Sequence, residues 1–287
     1  MKLASLALAL SLASVADAAV TVTQKGARLK IQGDDQSDVV TVDGTNLLGR
    51  VVVRVNGANP LPFFGVRDVV IALGAGNDEL ELSALQVGGD VVANLGAGED
   101  SAIVDDSGDV DGPLIVGRDL TIALGGQPGD VCAMTASGDG PLLIGRRLSI
   151  RGAAALQVAG LGGSAAFDPH DVVVGADLRI QSTEKSLNAA GVVQVVLADV
   201  DVGGKTRITL GANPNVVHFV HCRLTRGLDA RLGSGDDVLD FGNVDTAIDA
   251  TFKANGGAGN DVIQDVDALA LVAFPTLENF EEISVFP

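Results

Sequence analysis

The chain contains no tryptophan and no tyrosine, and its nine phenylalanines bring aromatics to only 3% of the composition. Carbohydrate clefts usually lean on aromatic platforms, because a ring offers flat apolar area with a polar handle. A sugar-cleaving site here has only phenylalanine to stack with. Cysteine is scarce too: Cys132 and Cys222 allow one bridge at most. The repeat described below sets them several coils apart, which predicts two free, buried thiols. There are three histidines, and no Gly-x-Ser-x-Gly, P-loop or His-Glu-x-x-His motif occurs. Basic residues number 19 against 37 acidic ones, a formal net charge of −18. That balance excludes nucleic-acid binding through a phosphate-neutralising face and leaves carboxylates available for cations. Beyond the first eighteen residues no apolar stretch is long enough to form a transmembrane helix.

The first eighteen residues have a pattern of their own. Met1-Lys2 is followed by an apolar run from Leu3 to Val15 and by the small-x-small triplet Ala16-Asp17-Ala18. This is the pattern of a secretory signal peptide, so residues 1–18 are expected to be removed and the protein to be secreted, extracellular or periplasmic.

One block then recurs along the chain. It reads Asp-Val-Val-Ile-Ala-Leu-Gly at 68–74, Asp-Val-Val-Ala-Asn-Leu-Gly at 90–96 and Asp-Leu-Thr-Ile-Ala-Leu-Gly at 119–125. Looser copies begin at Arg147, Asp177, Lys205, Gly227 and Thr251. Successive copies are 22 to 30 residues apart. Within a block the apolar residues alternate, as in Leu120, Ile122 and Leu124. A period of two indicates strands. Apolar triplets that run into glycine, such as Leu114-Ile115-Val116-Gly117, add a further strand to each unit. Short strands, Gly-rich turns and a period in the twenties predict stacked coils: an all-β parallel β-helix, or β-solenoid, right-handed by the default of β crossovers. The expected organisation is a leader at 1–18, an N-terminal β cap or first coils at 19–65, and a solenoid at 66–287. Its tail, Leu277–Phe286, is expected to close the far end.

The turns after the block carry an acid at nearly the same place. They are Leu73-Gly-Ala-Gly-Asn-Asp78, Leu95-Gly-Ala-Gly-Glu-Asp100, Leu232-Gly-Ser-Gly-Asp-Asp237 and Gly256-Gly-Ala-Gly-Asn-Asp261. A fifth turn, ending at Asp130, is one residue longer, and residues 33–38 form a looser relative. Glycine supplies positive φ and brings carbonyl oxygens together, and aspartate adds a hard carboxylate oxygen. Such oxygens suit Ca²⁺. The same residues also make good turns without a metal, because aspartate at a strand start accepts from backbone donors. Both readings stand at this level.

Residues 256–264, Gly-Gly-Ala-Gly-Asn-Asp-Val-Ile-Gln, resemble the Gly-Gly-x-Gly-x-Asp-x-apolar-x nonapeptide of hemolysin-type (RTX) calcium-binding repeats. That resemblance implies Ca²⁺ held between stacked turns. Asp261 would supply the carboxylate, and Gly257 and Gly259 the turn backbone. Asp78, Asp100 and Asp237 fit the same position, with leucine in place of the first glycine. The copies here are also spaced more widely than tandem nonapeptides, and the central coils lack the acid. The pairs expected to act together are Asp78 with Asp100 and Asp237 with Asp261, where consecutive coils both keep it.

The expected function is therefore a non-enzymatic, exported repeat protein with a structural role at a surface or in a matrix, stabilised by Ca²⁺ at its Gly/Asp turns. The alternative is a β-helical carbohydrate-active enzyme or glycan-binding protein. It would use the basic residues of the central coils, among them Arg147, Arg151, Arg179, Lys185 and Arg207, on a polysaccharide or other cell-surface component.

Overall fold

A computed structural model describes residues 20–105, 112–127, 129–136, 140–160, 172–182, 192–242, 246–265, 269–271 and 275–284. The expected leader, His170, Lys185 and Phe286 lie outside the described residues.

Among the described residues the chain forms thirty-one strands and no helix. The strands build three long sheets of eleven, twelve and eight strands, here called A, B and C. Among the described residues each round of the chain lays one strand in A, one in B and, except in the first and last rounds, one in C, and then returns to pair parallel with the strand of the round before. The architecture is that of a parallel β-solenoid.

All eight sequence blocks fall in sheet A, and their marker residues pair directly. Val69 pairs with Val91, Val91 with Leu120, and the row continues through Leu148, Leu178, Thr206 and Leu228 to Phe252. The reason is burial. The alternating apolar residues point inward, and a slip of one residue would turn every one of them to solvent. These markers are 0–2% exposed, each aliphatic one contributing about 1.5–3 kcal/mol of transfer free energy. Near the C-terminal end the core turns aromatic: Phe219 stacks on Phe241 at 5.4 Å, and Phe241 meets Phe252 edge-on at 5.4 Å.

The ends are built differently from one another. Thr21–Lys25 pairs antiparallel with Arg28–Gln32 and closes that edge of sheet A. The strands Arg28–Gln32 and Val39–Gly44 already pair parallel with Asp68–Ala75 and Glu79–Ser83. An antiparallel excursion, Val51–Val55 and Leu61–Phe63, then extends sheet B sideways. At the other end, Thr276–Glu278 and Glu282–Ile283 add parallel strands to sheets A and B, so the described part of the tail continues the coil rather than covering it.

Cys132 and Cys222 are both free and buried, and burial pushes each thiol up to about 12. His218 lies on the strand Asn215–Val220, while His221 sits beyond it at a corner with φ 51°. The two side chains bond separately, His218 to Asp240 at 2.5 Å and His221 to Asp199 at 2.7 Å.

Candidate functional site: a column of buried aspartates

The Gly/Asp turns join sheet A to sheet B, and because the coils stack in register the turns stack as well. Their glycines are required on two counts. Gly257 and Gly259 have φ of 109° and 145°, a region L side chains avoid. A Cβ on Gly257 would lie 1.6 Å from the Gly233 carbonyl oxygen, and one on Gly259 would lie 1.8 Å from that of Gly235. The leucines in place of the first glycine, Leu73, Leu95 and Leu232, are fully buried core residues.

The aspartates at the ends of these turns form a column. The amide of Asp38 donates to Asp78 Oδ1 at 2.8 Å, that of Asp78 to Asp100 Oδ1 at 3.0 Å, and that of Asp100 to Asp130 Oδ1 at 2.8 Å. The column stops where Ala154 takes the position and donates to the Asp130 carbonyl instead. It resumes with Asn215, whose amide donates to Asp237 Oδ1 at 2.8 Å. Asp237 donates in turn to Asp261 Oδ1 at 2.9 Å, and Asp261 to Glu281 Oε2 at 2.6 Å. Each of the expected pairs is thus brought together, and the two pairs sit in separate halves of the column. Asp38, Asp130, Asn215 and Glu281 also belong to it. The first three occupy recognisable turn positions in the sequence, whereas Glu281 carries no turn signal.

The second carboxylate oxygen is less well served. Asp38, Asp78, Asp100, Asp237 and Asp261 are at most 2% exposed, yet Oδ2 of each has no hydrogen-bond partner. Two turns show what surrounds it. A point beside Gly33 lies 2.3 Å from Asp38 Oδ2 and 2.4 Å from the Leu73 carbonyl oxygen of the next coil. Beside Gly256, Asp261 Oδ2 and the Asn279 carbonyl oxygen converge in the same way, at 2.6 and 2.3 Å. Oxygen faces oxygen with no donor between them. Asn215 eases the same conflict by chemistry: its Nδ2 shares two hydrogens among the carbonyls of Asn213 and Leu232 and Asp237 Oδ1, at 2.5, 2.8 and 2.8 Å, while its own Oδ1 is left without a partner. Asp130 resolves it by geometry. The extra residue in its turn lets the amides of Gly126 and Gln127 both reach Oδ2 at 2.7 Å.

Electrostatics follow from this burial. Desolvation pushes Asp78 up to about 6, against the lowering effect of the Asp38 amide and with the charge of Asp100 adding to it. Desolvation likewise raises Asp237 to about 7 despite its bonds from Asn215, with Asp261 adding charge of the same sign. Asp100, Asp130 and Asp261 are raised for the same first reason.

A second aspartate column, at the entry to sheet A, provides the contrast. Asp90 donates its amide to Asp68 Oδ1 at 3.1 Å, Asp119 to Asp90 Oδ1 at 3.2 Å, and Lys205 to Asp177 Oδ1 at 3.0 Å. These acids are part-exposed and flanked by arginine: Arg67 by Asp68, Arg118 by Asp90, Arg146 by Asp119 and Arg207 by Asp177, at 3.3–3.7 Å. Here aspartate only completes a turn. Comparison with protein-family models, curated proteins and solved structures finds no match to this chain.

Proposed function

We propose that the protein is an exported, non-enzymatic β-solenoid with a structural role at a surface or in a matrix, and that its Gly/Asp turns take up Ca²⁺. The observation that carries the calcium reading is the set of buried Oδ2 atoms of Asp78, Asp100, Asp237 and Asp261, which have no partner. They are hard oxygens, and at Asp261 a backbone carbonyl, that of Asn279, converges on the same point, the donor type Ca²⁺ prefers. Asp78 and Asp100 would hold an ion in one half of the column, and Asp237 and Asp261 in the other. The carbonyls of the glycine turns, those around Gly257 and Gly259 among them, would complete the shell. A cation held there would supply the positive charge that these turns otherwise lack. The resemblance of residues 256–264 to hemolysin-type repeats supports the same reading.

The structural role is supported by the way the acids are held. Each is locked singly in its own turn and bonded to a backbone amide, an arrangement suited to stiffening a stack of coils. We read the coils as right-handed and about 22–30 residues long, the hand that β crossovers take by default. The leader at residues 1–18 supports export, and among the described residues no helix is long and apolar enough to cross a membrane.

Asn215 favours a second reading, in which a proton rather than a cation fills each gap. A protonated aspartate has the shape and donor of asparagine. Thermal unfolding separates the two. In EDTA at pH 7.5, millimolar Ca²⁺ should raise the melting temperature, since a ligand bound only by the folded state must stabilise it. The rise should vanish in Asp78→Asn/Asp261→Asn. No rise with Ca²⁺ at pH 7.5, together with a rise in EDTA on going to pH 5, would sink the calcium reading and leave a protonated column.

A further inference from the structure

The molecule carries a net charge of −18, yet one of its faces is basic. Five consecutive strands of sheet A each place an exposed cation on the outer surface: Arg151, Arg179, Arg207, Arg231 and Lys253. Parallel strands are about 4.8 Å apart, so these charges climb the solenoid axis as a ladder of two neighbouring rows, Arg179, Arg207 and Lys253 in one, with Asp229 between the last two, and Arg151 and Arg231 in the other. From the geometry we infer that this face binds a linear anionic polysaccharide lying along the axis.

Several observations converge on that occupant. Arg179 and Arg207 are direct partners in register, an arrangement of like charges that costs stability in a sheet. Arg207 is partly compensated by Asp177 and Arg231 by Asp229, each at 3.3 Å. Among the described residues Arg151 and Lys253 have no ion-pair or side-chain hydrogen-bond partner. The face therefore keeps a surplus of positive charge, with only Asp177 and Asp229 paired against its five cations. Apart from Asp229, the outward positions between the cations are neutral and polar: Thr209 can exchange hydrogen bonds with sugar hydroxyls, as can Gln181 and Asn255 beyond the bonds they already make to Arg179, Glu278 and Asn279. A shallow groove of about 320 Å³ opens on the same face between Arg231 and Lys253, and its acids, Asp229 and Glu278, mark the end of the face where the positive surplus is smallest.

The occupant must be anionic, to match the ladder, and hydroxylated, to match the polar rows. It must also bind without stacking, because the chain has no tryptophan or tyrosine. That last condition disfavours single-stranded nucleic acid, which binds largely by base stacking on aromatic rings. An apolar protein partner would find no apolar surface here. The inference does not depend on Ca²⁺ at the turns, and its test is run in EDTA to keep the two apart.

Binding of the full chain is measured by isothermal titration against polygalacturonate and heparin, at 50 and 500 mM NaCl. Dextran and a single-stranded oligonucleotide serve as comparisons. Binding to at least one acidic polysaccharide at 50 mM, collapse at 500 mM and none to dextran are expected, because exposed charges are screened by salt. The two polymers distinguish a carboxylate ligand from a sulfate ligand. Arg179→Glu/Arg207→Glu should weaken binding at least tenfold. Arg223→Glu, on sheet C and paired with Asp249, should not. Should the charge reversal fail to fold, Arg179→Gln/Arg207→Gln replaces it, with an unchanged melting temperature as the criterion. The inference is overturned by no binding to either polymer at 50 mM, by equal losses in the Arg223 and Arg179/Arg207 variants, or by tighter binding to the oligonucleotide.

Discussion

Replacing Asp78 with asparagine alters one atom of the column and little else. Oδ1 remains, so the Asp38 amide, 2.8 Å away, keeps its acceptor. Oδ2 becomes an amide donor aimed where Asn215 Nδ2 is aimed in its own turn. In the metal-free protein at pH 8, wild-type Asp78 is ionised although burial, first, and the charge of Asp100 have pushed it up to about 6. An acid raised in the folded state holds its proton more tightly there than in the unfolded chain. The stability it contributes is therefore fully present below the unfolded value, about 4, and is lost as pH rises through 6. A shift of about two units corresponds to roughly 3 kcal/mol, or on the order of 5–10 °C in melting temperature for a chain of this length. Asp78→Asn removes that loss. By circular dichroism in EDTA it should melt about 5 °C or more above wild type at pH 8, and the two should converge near pH 4. Asp78→Ala removes the acceptor as well and should melt below wild type at low pH, by about 1–3 kcal/mol. The reasoning is refuted if the asparagine variant melts below wild type at pH 8 in EDTA, because Oδ2 would then be making a stabilising contact.

Three further outcomes can be checked with the same protein. Phe241→Ala empties the centre of the Phe219–Phe241–Phe252 stack and should cost about 3–5 kcal/mol in denaturant unfolding. Gly257→Ala forces a Cβ to within 1.6 Å of the Gly233 carbonyl at φ 109° and should lower the melting temperature by several degrees, more than an alanine at a glycine with open space such as Gly57. Cys132 and Cys222, buried and with thiols pushed up to about 12, should be silent to a thiol reagent in the native state and react together in denaturant.

The coil stacking was legible in the sequence because burial leaves no freedom in the register. An inward Leu or Val in one block demands an inward partner in the next, and Val69, Val91 and Leu120 could be aligned on that basis alone. The first coil was less legible. Asp38 and Asp78 are neighbours in the column but 40 residues apart, since the antiparallel excursion Val51–Val55 and Leu61–Phe63 interrupts the period. Glu281 escaped because a longer side chain reaches the same amide from a segment without a glycine turn. The orphaned oxygens could not be read at all. Whether Oδ2 has a partner depends on carbonyls from the next coil, and on whether a turn is one residue longer, as at Asp130, so that its own amides can reach it.

The two aspartate columns show why burial, rather than residue type, marks the candidate site. Both place Asp where a strand begins, and both use Oδ1 to accept an amide from a neighbouring coil. In the exposed column Arg67, Arg118, Arg146 and Arg207 supply the opposing charge. In the buried column, among the described residues, no lysine or arginine pairs with Asp78, Asp100, Asp237 or Asp261. Ionised carboxylates stacked about 5 Å apart repel by about 3 kcal/mol per pair at an effective dielectric constant of about 20. A charge-assisted amide bond returns only about 1.5–3 kcal/mol. The amides therefore offset at most one neighbour's repulsion and none of the desolvation. The missing positive charge has to come from outside the chain, as a proton or as a cation. Burial raises Asp78 to about 6 and Asp237 to about 7, so at neutral pH the proton is mostly lost at the first and shared at the second, and the Ca²⁺ proposed above would supply the charge that ionisation leaves uncompensated.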